Sequence, residues 1–335
     1  MKKRLSLLMA ILSIFFLAGC GASNAENKEV QIIRVAFNQN TEHPQYLAMK
    51  KLGEDFERET NGRYKMKIYP NGVLGSQTEV LEFIRTGALQ MAIVPTSSPE
   101  GYSKDFAIVG APYLYDDIDH MSRAVQAGVY DKLFKSANKF GFEPITIYTA
   151  GERNVYSKKP IDNIEDLKGM IIRVNDSPTY IKMTELMGGS GAVMAQSEVY
   201  TALQQGVIDA AENSELVFRD FKHYEVSPYY AYTKHIVHPD VAVASTEFLD
   251  SLSEEDRELL YKLVKESAKY EFDTFKEKVA EAKKEIEEKG TKFCYPDSEK
   301  LREMVSPLTE SIANQSELTR EVYDAINELR EEKND

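Results

Sequence analysis

The sequence of 335 residues contains no tryptophan, five histidines and two cysteines. Two cysteines, Cys20 and Cys294, are too few for a zinc site with four cysteine ligands. His235 and His238 lie three residues apart, but no third metal ligand stands near them in this tyrosine-rich segment. We therefore expect no bound metal.

Motifs of the common enzyme classes are also absent. The sequence has no G-x-S-x-G nucleophile elbow, no H-E-x-x-H zinc motif and no P-loop. The glycine-rich run at 188–191 follows a predicted helix, so a helix-ending turn explains it better than a phosphate loop does. No pair of carboxylates stands out as a general acid and base. We expect a protein that is not an enzyme and needs no cofactor.

Positive charge is scarce, because 41 lysines and arginines face 54 aspartates and glutamates, for a net charge of −13. An acidic surface argues against nucleic acid as a partner and against broad electrostatic capture of anions. Any anion-binding site in this chain must therefore be local and buried.

A single long apolar run exists, from Leu5 to Ala18, directly after three basic residues at 2–4. It is shorter than the roughly 20 residues that a membrane-spanning helix needs, and it fits the apolar core of a secretory signal peptide. We predict a signal peptide over residues 1–19.

The apolar run ends in Leu17-Ala18-Gly19-Cys20, which looks like the lipobox of a bacterial lipoprotein. A lipobox predicts cleavage before Cys20 and a lipid on this cysteine, with the small polar residues of 20–29 as a tether. The protein would then be lipid-anchored on the outer face of the bacterial cytoplasmic membrane. The alternative is an ordinary secretory signal in which Cys20 is incidental.

After residue 30 the sequence alternates β-rich runs with segments of helical spacing, which favours an α/β fold with a mainly parallel sheet. The first series comprises Val30–Phe37, Pro44–Glu59, Tyr64–Ile68, Gln77–Thr86 and Leu89–Val94. The second begins with Ile145–Tyr148, Met170–Val174, Pro178–Met187 and Ser197–Gln205. A chain of this length with two such series is longer than one compact hydrophobic core usually holds, which favours two lobes.

A long helix is predicted near the C-terminus, because no proline or glycine occurs from Ser253 to Lys289 and apolar residues recur every three or four positions. Ser253 begins a plausible capping sequence. An unbroken helix here would reach roughly 50 Å and lie across two lobes. The alternative is a helix broken near its middle.

Two arginines stand out in the second series. Arg173 lies inside the apolar run Met170–Val174, where a charged fork needs either a partner in the chain or an acidic ligand. Arg153 follows a predicted strand, and Asn213 ends an apolar run. Taken alone, both arginines fit a solvated edge or an internal salt bridge, and Asn213 fits a cap of the next segment.

Several short motifs, common singly, are specific in combination. They are Asn71-Gly72-Val73-Leu74-Gly75, Ala111-Pro112-Tyr113-Leu114-Tyr115, Asp166-Leu167-Lys168-Gly169, Ile172-Arg173-Val174, the run from Ser197 to Gly206, and Glu212-Asn213. In this order and spacing the chain resembles, over nearly all of its mature length, the solute-binding proteins of tripartite ATP-independent periplasmic (TRAP) transporters, of the dicarboxylate-binding-protein (DctP) type.

The resemblance implies an α/β, two-lobed fold like that of periplasmic binding proteins (a Venus flytrap), with the long helix spanning both lobes. We expect the first lobe to comprise 30–150 and 240–275, and the second to comprise 151–239 and 276–335. Proteins of this family close over an organic acid by a hinge motion and deliver it to a membrane permease.

The resemblance also implies roles for individual residues. The arginine at the position of Arg173 forms a bidentate pair with the ligand carboxylate, as the planar guanidinium allows. Arg153 and Asn213 match residues that support the same carboxylate. Further ligand contacts, with helix capping as the alternative, are expected at Asn38, His43, Gln77 and Gln196.

The expected function is that of an extracytoplasmic receptor which captures a sugar acid, such as a hexuronate or an aldonate. Polar groups at several of these positions would serve the hydroxyls. A C4-dicarboxylate is the second choice, and it would need another cation opposite Arg173. A solute-sensing subunit of the same fold is a further alternative for this protein. The expected partners are the carboxylate ligand and the TRAP permease subunits, and the protein is expected to be a monomer.

Overall fold

The computed structural model describes residues 30–331, so the predicted signal peptide, Cys20 and the tether lie outside the described residues. The strands are β1 (Gln31–Ala36), β2 (Tyr64–Tyr69), β3 (Met91–Pro95), β4 (Phe142–Ser157), β5 (Ile171–Val174), β6 (Ser190–Val193), β7 (Ala210–Asn213), β8 (Tyr229–Ser245) and β9 (Lys292–Cys294). The helices are α1 (Pro44–Glu59), α2 (Gln77–Arg85), α3 (Ser97–Glu100), α4 (Ile118–Gln126), α5 (Asp131–Lys135), α6 (Pro178–Leu186), α7 (Val199–Gln205), α8 (Glu215–Asp220), α9 (Thr246–Ser251), α10 (Glu254–Glu288), α11 (Ser298–Ala313) and α12 (Glu317–Glu331).

The strands of the described chain form one sheet in the order β2-β1-β3-β8-β4-β7-β5-β6, with β9 paired to β8. β1 is parallel to β2 and β3, and β5 is parallel to β6 and β7. β4 and β8, of 16 and 17 residues, are antiparallel to each other and pass through both lobes. The prediction of a mainly parallel sheet holds within each lobe, whereas the centre of the sheet, where β4 and β8 join the lobes, is antiparallel.

The long helix α10 is continuous over its 35 residues, as predicted. Ser253 caps the start of this helix, because its hydroxyl accepts a hydrogen bond from the backbone N–H of Asp256 at 3.1 Å. The first half of the helix buries Leu260 in the core of the first lobe, and its end buries Ile286 in a core of the second lobe. The helix thus ties the two lobes together.

The C-terminal helix α12 lies on the first lobe. Its Val322 and Ile326, four residues apart, are buried in the same core as β1, β3 and α1. His120 Nε2 lies 2.8 Å from the carbonyl oxygen of Ile326. The expected assignment of 276–335 to the second lobe is therefore wrong for this helix, because its apolar stripe packs against α4.

Gly151 lies where β4 passes from one lobe to the other. The register of β4 against β8 shifts between Thr149 and Glu152, and Gly151 adopts a φ of +88°. A Cβ at this position would lie 2.8 Å from the ring of Phe275 and 2.8 Å from Ser214 Cβ. Glycine is therefore required here both by the backbone conformation and by the close approach of α10.

Gly151→Ala is expected to lower the free energy of unfolding by about 1–3 kcal/mol through overpacking, in addition to backbone strain of roughly 1 kcal/mol. Chemical denaturation measures the loss. Gly169→Ala is the matched control, because Gly169 has a similar φ of +74° but open space around the added Cβ. Equal losses in the two variants would contradict the role of close packing at the crossing.

Candidate functional site

A cavity of about 490 Å³ opens between the two lobes. It lies beyond the carboxyl ends of β1 and β5, where α/β sheets usually bind ligands. The first lobe contributes Asn38, Asn71 and Gln77, and the second contributes Arg173, Asn175 and Gln196, among other lining residues. The volume falls in the range of small-molecule sites, and the lining combines polar side chains with apolar surface.

Direct hydrogen bonds join the lobes on both sides of this cavity. On one side the hydroxyls of Ser177 and Thr179 donate to the carboxylate of Glu100 at 2.6 and 2.8 Å. On the other side Asn40 Nδ2 donates to Asp220 Oδ2 at 2.9 Å. The lobes are therefore in contact across the cleft in this structure.

Arg173 is buried, with 2% of its surface exposed, and lines the cavity. Its Nε and Nη2 donate to the carbonyl oxygen of Met194 at 2.9 and 2.7 Å, and its Nη1 lies 3.4 Å from Gln196 Oε1. In the described chain its acceptors are thus a carbonyl and an amide rather than a carboxylate. Burial, together with the nearby charge of Arg153, lowers the pKa of Arg173 to about 10. The guanidinium of Arg173 therefore remains charged at neutral pH without a carboxylate partner among the described residues.

Arg153 is instead paired inside the protein with Glu212, and both side chains are buried. Arg153 Nη2 donates to the carboxylate oxygen Oε1 of Glu212 at 2.6 Å, and Nε donates to the other carboxylate oxygen. Burial opposes ionisation of Glu212, but the charge and hydrogen bonds of Arg153 outweigh it and, with His235, lower the pKa of Glu212 to about 2. The structure therefore has the internal salt bridge that the sequence allowed for Arg153 taken alone, and support of a ligand carboxylate by Arg153 stays a prediction.

Asn213 and Gln196 connect the two arginines. Arg153 Nη1 donates to Asn213 Oδ1 at 3.4 Å, and Asn213 Nδ2 donates to Gln196 Oε1 at 3.4 Å. Gln196 Nε2 is buried and has no hydrogen-bond partner among residues 30–331. Arg153 and Asn213 do not line the cavity, whereas Gln196 does.

Of the first-lobe candidates, Asn38 and Gln77 line the cavity, while His43 does not. Ser76 caps α2 and leaves the amide of Gln77 free of that role. His43 is 1% exposed, and its Nδ1 accepts from the backbone N–H of Gln45 at the start of α1. Burial lowers the pKa of His43 to about 4. The expected ligand contact is thus replaced by the helix-capping alternative.

Sequence reasoning missed Asn175 and Asp176, which line the cavity directly after β5. The sequence pattern does contain a signal for them: Asn175 and Asp176 directly follow the strand that carries Arg173, and the carboxyl end of such a strand is where α/β sheets usually bind ligands.

His235 and His238 take part in side-chain networks rather than in a metal site. His235 Nδ1 lies 2.8 Å from Thr233 Oγ1, and His238 Nδ1 lies 3.0 Å from Tyr180 OH. Within residues 30–331 no group of three or more potential metal ligands occurs. In the same residues no helix has the length and apolar character needed to cross a membrane.

Comparison with known proteins relates this geometry to a family. The family model of bacterial extracellular solute-binding protein, family 7 (DctP), matches residues 35–316. A TRAP periplasmic solute-binding protein from Anaerococcus prevotii DSM 20548, solved with bound α/β-D-glucuronate, is 35% identical, with a TM-score of 0.86 over 90% of this chain and 99% of its own.

Two further relatives cover most of both chains. A TRAP periplasmic solute-binding protein from Xanthobacter autotrophicus Py2, solved with bound β-D-galacturonate, is 26% identical, with a TM-score of 0.84 over 88% of this chain and 99% of its own. The 2,3-diketo-L-gulonate-binding periplasmic protein of Escherichia coli K12 is 28% identical over 79% of this chain and 81% of its own length. With its two lobes, crossing strands and cleft, the chain belongs to family 7 (DctP) of the bacterial extracellular solute-binding proteins, the receptors of TRAP transporters.

Proposed function

We propose that this protein is the receptor of a TRAP transporter for a sugar acid, with a hexuronate as the favoured solute. The observation that carries the proposal is the buried guanidinium of Arg173, which faces a cavity between the lobes and has no carboxylate partner in the described chain. A buried cation in such a place is stabilised when an anion arrives. The uronates bound to similar proteins support the choice of solute.

We expect the solute carboxylate to bind at the edge of the guanidinium that its contacts with Met194 leave open. Because Nε and Nη2 already share the carbonyl oxygen of Met194, the carboxylate meets the edge formed by Nη1 and Nη2. Gln196 Nε2 adds a donor beside this edge. Arg153 and Asn213 support the arrangement from behind through Gln196.

The far end of the solute faces Asn38, Asn71 and Gln77 of the first lobe. Amide groups both donate and accept hydrogen bonds, so they suit hydroxyls. No lysine or arginine of the first lobe lines this cavity, which leaves a second carboxylate without a matching cation. A hexuronate therefore fits this wall better than a C4-dicarboxylate.

The protein then binds and releases its solute without covalent chemistry. It hands the solute to the membrane subunits of the permease while a lipid on Cys20 holds it, as a monomer, on the outer face of the cytoplasmic membrane. A protein with a net charge of −13 is not attracted electrostatically to anionic lipids. We therefore expect the lipid on Cys20 to provide the attachment to the membrane.

A thermal-shift screen tests the proposed function. D-Glucuronate and D-galacturonate are expected to raise the unfolding temperature, because ligand at 100 times its Kd stabilises the folded state by about 2.7 kcal/mol. D-Glucose, which lacks the carboxylate, is the matched control and is expected to give no shift. A shift with succinate alone would favour the dicarboxylate alternative, and no shift with any carboxylate would contradict the proposal.

A further inference from the structure

The cavity wall carries one residue of each charge, Arg173 and Asp176. Asp176 is exposed, and no lysine, arginine or histidine nitrogen lies within 4.0 Å of its carboxylate among residues 30–331. The chain has a large excess of acidic residues, so no diffuse positive field offsets this charge. The lining of the solute cavity therefore includes one acidic residue that has no cationic partner among residues 30–331.

The backbone holds Asp176 at this place. The next residue, Ser177, caps α6, and its hydroxyl is also bonded to Glu100 of the first lobe at 2.6 Å. Thr179 makes the second bond to the same carboxylate. Asp176 thus stands at the point where the second lobe meets the first, three residues beyond Arg173.

We propose that Asp176 is a specificity-determining residue that selects sugar acids with a single carboxylate over dianionic ones. This inference rests on the proposed function. An ionised carboxylate accepts strong hydrogen bonds from sugar hydroxyls. The same carboxylate repels a second negative charge on the solute, since like charges at short range in a partly desolvated cleft interact unfavourably.

D-Glucuronate and D-glucarate form the test pair, because D-glucarate carries a second carboxylate at C1, where D-glucuronate has its aldehyde or ring hemiacetal. Isothermal titration calorimetry, with competition by D-glucuronate for weak binding, gives the ratio of their dissociation constants. For the unchanged protein D-glucarate is expected to bind at least tenfold more weakly, on the order expected for an unmatched like charge.

In Asp176→Asn this ratio is expected to fall about fivefold, through weaker D-glucuronate binding and relieved repulsion of D-glucarate. Asp250→Asn is the control, because it removes the same charge from a side chain that is 79% exposed and lines no part of this cavity. An unchanged ratio in Asp176→Asn, or an equal change in Asp250→Asn, would overturn the inference. Failure of the unchanged protein to bind D-glucuronate would instead overturn the proposed function.

Discussion

Replacing Arg173 with alanine is expected to weaken binding of D-glucuronate by about a hundredfold or more. The reason is that the solute carboxylate would be buried without its cation, a change that costs about 3–5 kcal/mol. Isothermal titration calorimetry measures the loss. Arg173→Lys keeps the charge but not the planar fork, so an intermediate affinity is expected.

The same substitution is expected to leave the stability of the solute-free protein nearly unchanged. A pKa lowered from 12.5 to about 10 means that the fold disfavours the charged form, by roughly 3 kcal/mol at any pH well below 10. Arg173→Ala removes the buried charge, so the folded state no longer carries this cost. The gain is expected to offset the loss of the two hydrogen bonds to Met194.

Binding and stability therefore separate at Arg173. Thermal unfolding of Arg173→Ala and Arg173→Met without solute measures the effect of these substitutions on the stability of the solute-free protein. Unchanged affinity, or a loss of stability large enough to explain the loss of binding, would contradict the role given to this residue.

Replacing Arg153 with methionine is expected to lower the free energy of unfolding by about 3–5 kcal/mol. The substitution leaves Glu212 buried without its cation, and breaking a buried pair from one side costs about this much. Chemical denaturation measures the loss. The double variant Arg153→Met with Glu212→Gln is the control, because it removes both charges and should recover part of the stability.

Acid unfolding offers an independent view of this pair. The pKa of Glu212 is lowered from 4.5 to about 2 in the fold, so the pair stabilises the protein fully above pH 4.5 and progressively less as the pH falls towards 2. Arg153→Met should lose this part of the pH dependence. If Arg153→Met lowers the free energy of unfolding at neutral pH by only about 1 kcal/mol or less, as is typical of exposed ion pairs, the structural role of Arg153 is contradicted.

Local sequence signals predicted most elements of the fold. Helical spacing predicted the helix Pro44–Glu59 with its observed bounds, and in the structure Pro44 lies in the first turn while Asn61 and Gly62 have positive φ just after the end. The long helix α10 followed from the absence of proline and glycine. The antiparallel centre of the sheet and the position of α12 depend on contacts between distant segments, which no local pattern carries.

The site divides in the same way. Arg173 was identifiable because a charged residue interrupts a buried strand and the surrounding motifs resemble a family. The pairing of Arg153 with Glu212 was open, since β4 and β7 bring together side chains that are 59 positions apart. His43 was open between helix capping and ligand contact, because a polar residue just before a helix can serve either role, and the structure shows the capping contact.

A crystal structure of the complex with D-glucuronate would show whether Arg173 holds the solute carboxylate. We expect the solute between the lobes, with its carboxylate oxygens within hydrogen-bond distance of Nη1 and Nη2 of Arg173. We also expect Arg153 to stay paired with Glu212 and hydroxyls of the solute to face Asn38 and Gln77. A solute carboxylate bound away from Arg173, or a solute bound outside the cleft, would contradict the role proposed for this residue.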